Sequence, residues 1–387
     1  MSAPTRSPAP LSMPARPVEV AAIDRELTRL WEEAGRGAET PHPVTRACMS
    51  NLIILCRSDA EAHTVEQEIG DIVAQHPARV LLLVAREDAL SAEINAHVSA
   101  QCHLAGGGRQ ICSEHVTIVA TNGATRGLPS VARPLLVGDV PTTLWWATAA
   151  VPQRPAALFQ ELADMAQQIL FDSRDWGSVN DGVAGIIAVA EWAAAGERPR
   201  GERQPPTVSD LAWRCLKPWR RLISQALDPA IAPGALVSIR AVEARYGGRG
   251  LPQAWLLLGW LASCLNWEPD GVTAASDVDV TWMLRAGKSR VRVTGRRNGD
   301  HDDEIRSLSI TWDRAGQATT TKFEWTRPGR LTANTDAADV PMRCLTLQPR
   351  PPADVVARQL PRMEGDIRFR RALAAARQLA ELRLSAR

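Results

Sequence analysis

The polar segment that follows an apolar run near the middle of the chain is the first place where chemistry could be done. Asp172, Ser173 and Arg174 follow the short strand-like run 168–171, so a hydroxyl stands between a carboxylate and a guanidinium. A serine nucleophile needs a base beside it, and no histidine stands near this segment in the sequence. The chain also lacks the phosphate-loop, G-x-G-x-x-G and G-x-S-x-G motifs. We therefore predict no catalytic residue and no bound cofactor.

Two cysteine–histidine pairs are the candidate metal ligands. Cys102 and His103 come before the glycine turn 106–108, and Cys112 and His115 come after it. Zinc sites usually have tighter paired spacings, and a cysteine within a strand is more often a small core residue. We therefore predict no metal site. Seven cysteines without regular close spacing, in a sequence without a secretory signal, are typical of a reduced, cytoplasmic protein.

The strongest basic patch is a predicted hairpin that contains six basic residues: Arg285, Lys288, Arg290, Arg292, Arg296 and Arg297. The acidic turn 300–304 follows and is expected to neutralise part of it, and no aromatic residues alternate with the arginines as in nucleic-acid-binding surfaces. The net charge of +2 gives no overall field that would attract nucleic acid or a membrane. The most apolar segment, 255–265, is shorter than the roughly 20 residues of a membrane span. We predict binding to neither nucleic acid nor membrane.

The stretch 134–146 organises the elements around these residues. Asp139 lies in a turn, and residues 142–147 have the β-branched and aromatic composition of a strand. Because successive side chains of a strand point to opposite faces, Trp145 and Trp146 cannot lie on one side of a sheet. Both are buried only if helices cover both faces, as in α/β folds. The sharper interpretation is a strand end and its Asp139 loop that face a ligand or partner.

The first half of the chain has the pattern of a parallel α/β unit. Strand-like runs at 51–56 and 79–85 flank a helical pattern at 59–74, with Ser58 as its N-cap. The runs 94–104 and 110–120 predict a hairpin added to the sheet. The first 17 residues hold five prolines and no apolar core of a signal peptide, which predicts a disordered extension.

The second half is separated by the charged, Pro/Gly-rich segment 196–206, which we take as a linker. Thr207 and Asp210 fit a capping box, which predicts a helix from that point. Strand-like runs with short turns follow and predict an antiparallel meander, with a closing helix at 366–384. The sequence therefore predicts an α/β protein with four parts: a disordered extension (1–17), an N-terminal α/β domain whose mostly parallel sheet is covered by helices on both faces (18–195), the linker (196–206), and a C-terminal α+β domain with an antiparallel meander (207–387).

Several segments together resemble one known family. They are, in order, NLIILC at 51–56, HPARVLLL at 76–83, RQICSEHVT at 109–117, the stretch 134–146, FDS at 171–173, DLAW at 210–213 with WR at 219–220, and LLGWLA at 257–262 with NW at 266–267. In this order they resemble the OpcA family, the glucose-6-phosphate dehydrogenase assembly proteins of bacteria. The likeness runs from about residue 44 to near the C-terminus.

The resemblance implies a non-catalytic protein that binds glucose-6-phosphate dehydrogenase. Such a protein would promote the dehydrogenase's active oligomer or raise its apparent affinity for substrate, and so support the oxidative pentose phosphate pathway and NADPH supply. The partner contacts are expected at exposed residues near strand ends, for which we name Asp139, Trp146, Asp172, Ser173, Arg174 and Trp176. The alternative is an enzyme or sensor that binds sugar phosphates through Arg79, Arg109 and the segment 172–174.

Overall fold

The structure, a computed structural model, describes residues 11–36, 44–105, 109–152, 157–176, 178–195, 205–276, 279–299, 304–327, 329–348 and 350–386. The strands of the first sheet are β1 (Leu11–Val18), β2 (Val44–Arg46), β3 (Ser50–Cys56), β4 (Ala78–Arg86), β5 (Ile94–Ala105), β6 (Arg109–Thr121), β7 (Thr142–Trp146), β8 (Gln168–Phe171) and β9 (Thr207–Asp210). The strands of the second are β10 (Ile239–Tyr246), β11 (Glu268–Ala275), β12 (Asp279–Ala286), β13 (Ser289–Arg297), β14 (Ile305–Arg314), β15 (Gln317–Arg327), β16 (Arg330–Thr335) and β17 (Arg343–Thr346).

The helices connect and cover these sheets. They are α1 (Ile23–Arg36), α2 (Asp59–Gln75), α3 (Leu128–Ala132), α4 (Ala157–Ala163), α5 (Val179–Ala195), α6 (Leu211–Cys215), α7 (Lys217–Ala226), α8 (Leu251–Cys264), α9 (Pro352–Gln359) and α10 (Ile367–Ser385). As predicted, Ser58 caps α2, because its side chain accepts a hydrogen bond from the Glu61 amide at 3.2 Å.

The first sheet is mostly parallel, as the sequence predicts. Its strands lie in the order β1-β5-β6-β4-β3-β7-β8-β9, and β2 pairs with β6. All pairs are parallel except β1 with β5 and β5 with β6. From β6 to β9 this is the 3-2-1-4-5-6 order of doubly wound dinucleotide-binding folds. After β3 the chain first adds β4 and β6 on one side of it, and later adds β7, β8 and β9 on the other side.

Helices cover both faces of this sheet, which confirms the prediction from the tryptophan pair. Trp145 packs on the face that holds α2 and α9, in a cluster with Leu52 and Val356. Trp146 lies on the opposite face, with its ring 4.6 Å from that of Phe159 in an edge-on contact. Both tryptophans are buried. The alternation of side chains along β7 thus divides the domain into two apolar layers.

Two segments differ from the sequence-based prediction. Residues Leu11–Val18 form an edge strand that pairs antiparallel with β5, so the expected disorder of the extension 1–17 is wrong from residue 11 onward. Residues Thr207–Asp210, predicted as a capping box, instead form the last strand of the first sheet, parallel to β8. The four-residue strand ends at Asp210, whose carboxylate caps α6 by accepting from the Ala212 amide at 2.9 Å. Most of the proposed linker, residues 196–204, lies outside the described residues, and the domain boundaries stay a prediction.

The second sheet is antiparallel except where β10 and β13 run parallel. Its order is β11-β12-β13-β10-β14-β15-β16-β17, so β10 is inserted into the predicted meander between β13 and β14. One face packs on α8 and α10, where Trp255 meets Trp282 and the Trp282 indole donates to the Leu379 carbonyl at 3.0 Å. The other face carries polar and partly exposed side chains, as is common for antiparallel sheets.

The end of the chain joins the two sheets. Helix α9 packs on α2, where Gln75 donates to Asp354 at 2.6 Å. Helix α10 then packs between α5 and α8. At the crossing of α8 with α10, a Cβ at Gly259 would overlap the backbone of Ala372. The helix axes approach this closely because position 259 has no side chain.

Candidate functional site

The candidate site is the carboxyl edge of the first sheet, at the point where the strand order reverses between β3 and β7. In doubly wound folds ligands bind in the crevice outside the carboxyl ends of the strands at this point. Dinucleotide-binding members place a pyrophosphate against the glycine-rich turn and free amides at the start of the helix that follows the first strand. In this chain the corresponding turn is Arg57–Ser58, without glycine, and it leads into α2.

A carboxylate closes this crevice from the inside. Glu61, in the first turn of α2, accepts the Thr148 hydroxyl at 2.7 Å and the Ala149 amide at 3.0 Å through Oε1. Its Oε2 accepts the Arg57 amide at 2.7 Å. The loops after β3 and β7 are therefore tied together across the switch point. A phosphate placed there would meet a negative charge and amide donors that already have partners.

Farther along the same edge, the ends of β8 and β9 bring four polar side chains together. Arg174 donates to Asp172 from Nε at 2.8 Å and from the terminal nitrogen Nη2 at 2.5 Å, a two-point ion pair. Ser173 donates its hydroxyl to Asp210 Oδ2 at 2.7 Å, and its amide donates to Oδ1 at 3.2 Å. Ser173 thus holds the Asp210 carboxylate in the position from which it caps α6. Every strong donor in this group has an internal acceptor.

Burial changes the acidity of two carboxyls at this edge. Burial raises the pKa of Asp210 to about 7, and the charge of Asp172 adds to that effect, while the hydrogen bonds from Ser173 oppose it. Burial and the charge of Asp172 likewise raise the pKa of Asp175 to about 6, although Arg249 lies 3.1 Å away. The edge therefore holds two groups that titrate near neutral pH.

The six residues predicted to contact a partner do not form one surface. Asp139 precedes β7, whereas Asp172, Ser173 and Arg174 follow β8, so they lie at opposite edges of parallel strands about 16 Å apart. Asp139 is exposed, and its loop is held by Asn51, which donates to the Val137 carbonyl and accepts from the Val137 amide, both at 2.9 Å.

The two tryptophans of that set are core residues rather than exposed contacts. Trp146 is 4% exposed, and its indole donates to the Ala150 carbonyl at 2.8 Å. Trp176 is 1% exposed and packs against α5 at Gly185, where a Cβ would overlap the indole ring. The predicted surface exposure of both tryptophans is wrong, because the sheet is covered at the points where these strands end. It is also wrong for Ser173 and Asp172, which are 2% and 9% exposed.

Two of the residues named for sugar-phosphate binding, Arg79 and Arg174, are neutralised by internal carboxylates. Arg79, near the start of β4, donates to buried Glu114 at 2.6 Å and to the Leu135 carbonyl at 2.7 Å. Trp31 and Arg46 contact the same carboxylate at 2.6 and 2.9 Å. Arg174 is paired with Asp172, and the side chain of Arg109 lies outside the described residues. Arg79 and Arg174 are therefore both neutralised and do not form a free cationic site.

Two of the four candidate metal ligands, Cys102 and Cys112, form a disulfide instead. Cys102 and Cys112 face each other on β5 and β6 and are bonded, so the prediction of a fully reduced chain is wrong for this pair. A bonded sulfur cannot act as a thiolate ligand. Among the residues that the structure describes, no three His, Cys, Asp or Glu side chains are grouped to hold a metal ion.

The predicted basic hairpin is β12–β13, and acidic residues of the neighbouring strand neutralise part of it. Arg285 lies 3.0 Å from Glu268, and Arg290 lies 3.0 Å from Asp270, both on β11. Of the predicted acidic turn, residues 300–303 lie outside the described residues. Arg292 lines a polar depression of about 350 Å³ on the open face of the sheet, with the other lining residues Ala241, Val242, Glu243, Thr281, Thr294, Arg296, Ser309 and Thr311.

Sequence reasoning missed the two carboxylates that organise the edge, Glu61 and Asp210. The only signal for Glu61 was its place in the first turn of a helix after a buried strand, where an acidic residue is ordinary. Its partner Thr148 is 87 positions away in the chain.

In the described part of the chain, no helix combines the length and apolarity needed to cross a membrane.

Family models match both halves of the chain. The N-terminal domain of a glucose-6-phosphate dehydrogenase subunit matches residues 70–188, and the C-terminal domain of the same family matches residues 206–373. The OxPP cycle protein OpcA of Nostoc punctiforme is 31% identical over 216 residues, which are 54% of this chain and 43% of that protein. The OpcA of a Synechocystis strain is 29% identical over 202 residues, 51% of this chain and 39% of that protein. The chain thus matches less than half the length of these curated relatives.

Solved structures are similar only at a distance. The Gal80p super-repressor of Saccharomyces cerevisiae has a TM-score of 0.45 and 9% identity, over 87% of this chain and 97% of its own. A biliverdin reductase of Synechocystis, in complex with biliverdin and NADP+, has a TM-score of 0.42 and 10% identity, over 87% and 98%. Likenesses at these scores carry no argument about activity. On the match of both domain models, the chain belongs to the OpcA family, whose models are described as the two domains of a glucose-6-phosphate dehydrogenase subunit.

Proposed function

We propose that this chain is a non-catalytic effector that binds glucose-6-phosphate dehydrogenase and promotes its active oligomer. The observation that carries the proposal is the family match over both domains, residues 70–188 and 206–373. The protein would act in the cytoplasm, in the oxidative pentose phosphate pathway that the names of its relatives indicate.

The closed switch point supports the non-catalytic part of the proposal. Glu61 engages the Thr148 hydroxyl and the Ala149 and Arg57 amides. A dehydrogenase of this strand order needs that crevice for its dinucleotide, and it needs free amides there. Ser173 is only 2% exposed, and its acceptor Asp210 is engaged by the Ala212 amide as the cap of α6, so its hydroxyl is not presented to a substrate.

The effect on the dehydrogenase follows from differential binding. An effector shifts an equilibrium only as far as its affinities for the active and inactive forms differ. A shift from mostly inactive to mostly active dehydrogenase takes on the order of a thousandfold to ten-thousandfold preference. Such a preference requires a surface that recognises the assembled dehydrogenase better than its separate subunits.

Polar residues at the two sheet edges are the proposed contacts, although Asp172 itself is largely buried. At the amino edge the contact is Asp139, which is exposed on a loop held by Asn51. At the carboxyl edge it is the pair Asp172–Arg174 and the adjacent Asp175, whose side chain is 41% exposed. Because the edges lie at opposite ends of the strands, one flat partner surface meets only one of them.

Charge reversal at one edge, with the other edge as its control, tests this placement. The chain and its cognate dehydrogenase are mixed, and binding is measured by surface plasmon resonance for the wild type, Asp139→Lys and Asp175→Lys. Both side chains are on the surface, and the ion pair that Asp175 forms with Arg249 is of the kind worth about 0–1 kcal/mol, so both variants should fold. We expect one variant to weaken binding by about tenfold or more and the other to bind as the wild type does.

The outcomes distinguish an error in the proposed partner from an error in the proposed contact edges. If the folded wild type does not bind the dehydrogenase, the proposed function is wrong. If it binds and neither variant weakens the complex, the proposed edges are wrong while the partner stands. Weakening of both variants to the same degree would contradict the single-edge contact.

A further inference from the structure

One row of residues crosses the open face of the second sheet at right angles to its strands. Arg292 on β13, Ala241 on β10, Thr311 on β14 and Thr320 on β15 are register partners, each of the next. Asp336, just after β16, continues the row, because its carboxylate accepts the Thr320 amide at 2.8 Å and its own amide donates to the Thr320 carbonyl at 3.1 Å. We call these five residues the central row.

The two ends of the central row carry opposite charges that have no ion-pair partner among the residues that the structure describes. Arg292 and Asp336 are both exposed, and neither forms an ion pair there. The neighbouring guanidinium groups of Arg245 and Arg296, in contrast, lie 2.6 and 3.4 Å from carboxylates of the same sheet. Four strand intervals, about 19 Å, separate Arg292 from Asp336, so the two cannot pair within one chain.

The side chains between these ends are short and their hydroxyls already have partners. Thr311 and Thr320 share a hydrogen bond of 3.1 Å, and in the next row Thr281 and Thr294 share one of 3.2 Å. Ala241 lines the polar depression of about 350 Å³ between the longer side chains. A second surface can therefore cover this face without leaving these hydroxyls unpaired, which keeps the cost of removing water low.

The open face has the size of a stable protein interface. Six neighbouring strands, from β11 across to β15, have at least eight residues each. With about 4.8 Å between strands and about 3.4 Å per residue they present about 800 Å², which is the area that each partner buries in a standard interface. Of the described helices, α7, α8 and α10 pack on the opposite face.

We propose that this open face binds a second copy of the chain in a two-fold symmetric dimer. The axis runs along the strands and passes through the middle of the central row, between Ala241 and Thr311. This symmetry sets Arg292 of each copy opposite Thr320 and Asp336 of the other, so the dimer pairs both charges twice. It also sets Thr311 of one copy above Ala241 of the other, so the longer side chain faces the shorter one. The same patch then serves both subunits, as a two-fold interface requires, and the two sheets stack face to face.

The charge pattern favours a second copy over other occupants of this face. A nucleic acid or a uniformly acidic protein would neutralise Arg292 but would bring like charge to Asp336. A second copy supplies one cation and one anion at the spacing that the first copy presents, because both come from the same row.

The test measures the mass of the full chain by sedimentation equilibrium and light scattering, in the absence of the dehydrogenase. The variants are Arg292→Asp, Asp336→Arg, and both changes together. Arg292 has no partner in the described part of the chain, so Arg292→Asp should fold as the wild type does. The matched control is Arg126→Asp, an exposed arginine after β6 in the first half of the chain. Urea denaturation confirms that each variant is folded.

We expect the wild type and Arg126→Asp to have twice the chain mass of 42.1 kDa. Each single variant places two like-charged pairs in the interface, so its dissociation constant should rise about tenfold or more. The double variant exchanges the charges and should restore the dimer, which a merely misfolded surface would not do.

Three results would overturn the proposal. The first is a monomeric wild type at about 100 μM, since interfaces of this size have micromolar or tighter dissociation constants. The second is a dimer that Arg292→Asp leaves intact, because the copies would then meet through another face. The third is a double variant that stays monomeric, because the two charges would then not face each other. If the wild type is monomeric and Arg292→Asp loses the dehydrogenase, the face docks that protein and the dimer proposal is wrong.

Discussion

The hydroxyl of Thr148 donates a 2.7 Å hydrogen bond to the carboxylate of Glu61 and so joins the loops that follow β3 and β7. These loops flank the point where the order of the first sheet reverses. In a dinucleotide-binding protein of this strand order they would enclose the pyrophosphate. Here the Glu61 carboxylate accepts hydrogen bonds from the loops on both sides of this point. The strand order is that of a dinucleotide-binding fold, but the usual position of the pyrophosphate is occupied by this carboxylate.

Replacement of Glu61 by Gln should loosen this connection. The amide group of Gln supplies only one acceptor atom, so either the Arg57 amide or the Thr148 and Ala149 donors lose their partner. We expect the free energy of unfolding to fall by about 1–3 kcal/mol, measured by urea denaturation. Glu66→Gln, an exposed change on the same helix, should alter it by less than about 0.5 kcal/mol.

The hydrogen bonds of Glu61 also lead us to expect that NADP+ does not bind in this crevice. Millimolar NADP+ should not raise the melting temperature of the wild type, because the amides at the start of α2 face an internal carboxylate. A clear stabilisation by NADP+ that disappears in a variant of the Arg57–Ser58 turn would contradict the closed crevice.

Because of the raised pKa of Asp210, the free energy of unfolding should fall as the pH rises. Its pKa is about 7 in the folded protein, whereas an unfolded aspartate has a pKa of about 3.9. The folded state therefore binds more protons between these values, and the stabilisation of the protonated form is present at about pH 4 and lost by about pH 7. Each unit of pKa difference corresponds to about 1.4 kcal/mol.

The variant Asp210→Asn removes this titration and keeps an oxygen that can accept from the Ala212 amide. Relative to the wild type, it should gain stability between about pH 5 and about pH 8 in urea denaturation. Asp139→Asn, an exposed change, should show no such gain. A constant difference between Asp210→Asn and the wild type at both pH values would mean that Asp210 is already ionised at the lower one.

Gly259 should be intolerant of even a methyl group. A Cβ there would overlap the carbonyl oxygen of Ala372 and come within 2.8 Å of the Ala376 amide, both in the backbone of α10. Because neither helix can move without repacking its core, Gly259→Ala should cost about 1–3 kcal/mol, by thermal or urea unfolding. Gly138→Ala is the control, since nothing lies within 4 Å of its Cβ position. Equal stability of the two variants would show that α8 and α10 are not in close contact.

The parts of the fold that sequence reasoning found are those with strong local patterns. The runs 51–56 and 79–85 are continuous apolar stretches, and the adjacent Trp145 and Trp146 require a sheet covered on both faces. The strand β9 was missed because its four residues also match a capping signal. The cap exists, but it is Asp210 at the end of the strand.

The site was harder to predict than the fold because its contacts join distant positions. Thr148 and Glu61 are 87 residues apart. The prediction of Trp146 and Trp176 as contacts took strand ends to be exposed. It could not anticipate that α4 and α5 cover them, through Phe159 and Gly185.

We propose above that this chain acts on glucose-6-phosphate dehydrogenase without catalysis of its own. The most direct test is the rate of the purified cognate dehydrogenase against glucose 6-phosphate concentration, with and without this chain, combined with light scattering. We expect a lower half-saturation point or a higher maximal rate together with a larger species, and no turnover by this chain alone. An unchanged rate and size with both proteins folded, or turnover by the chain itself, would contradict it.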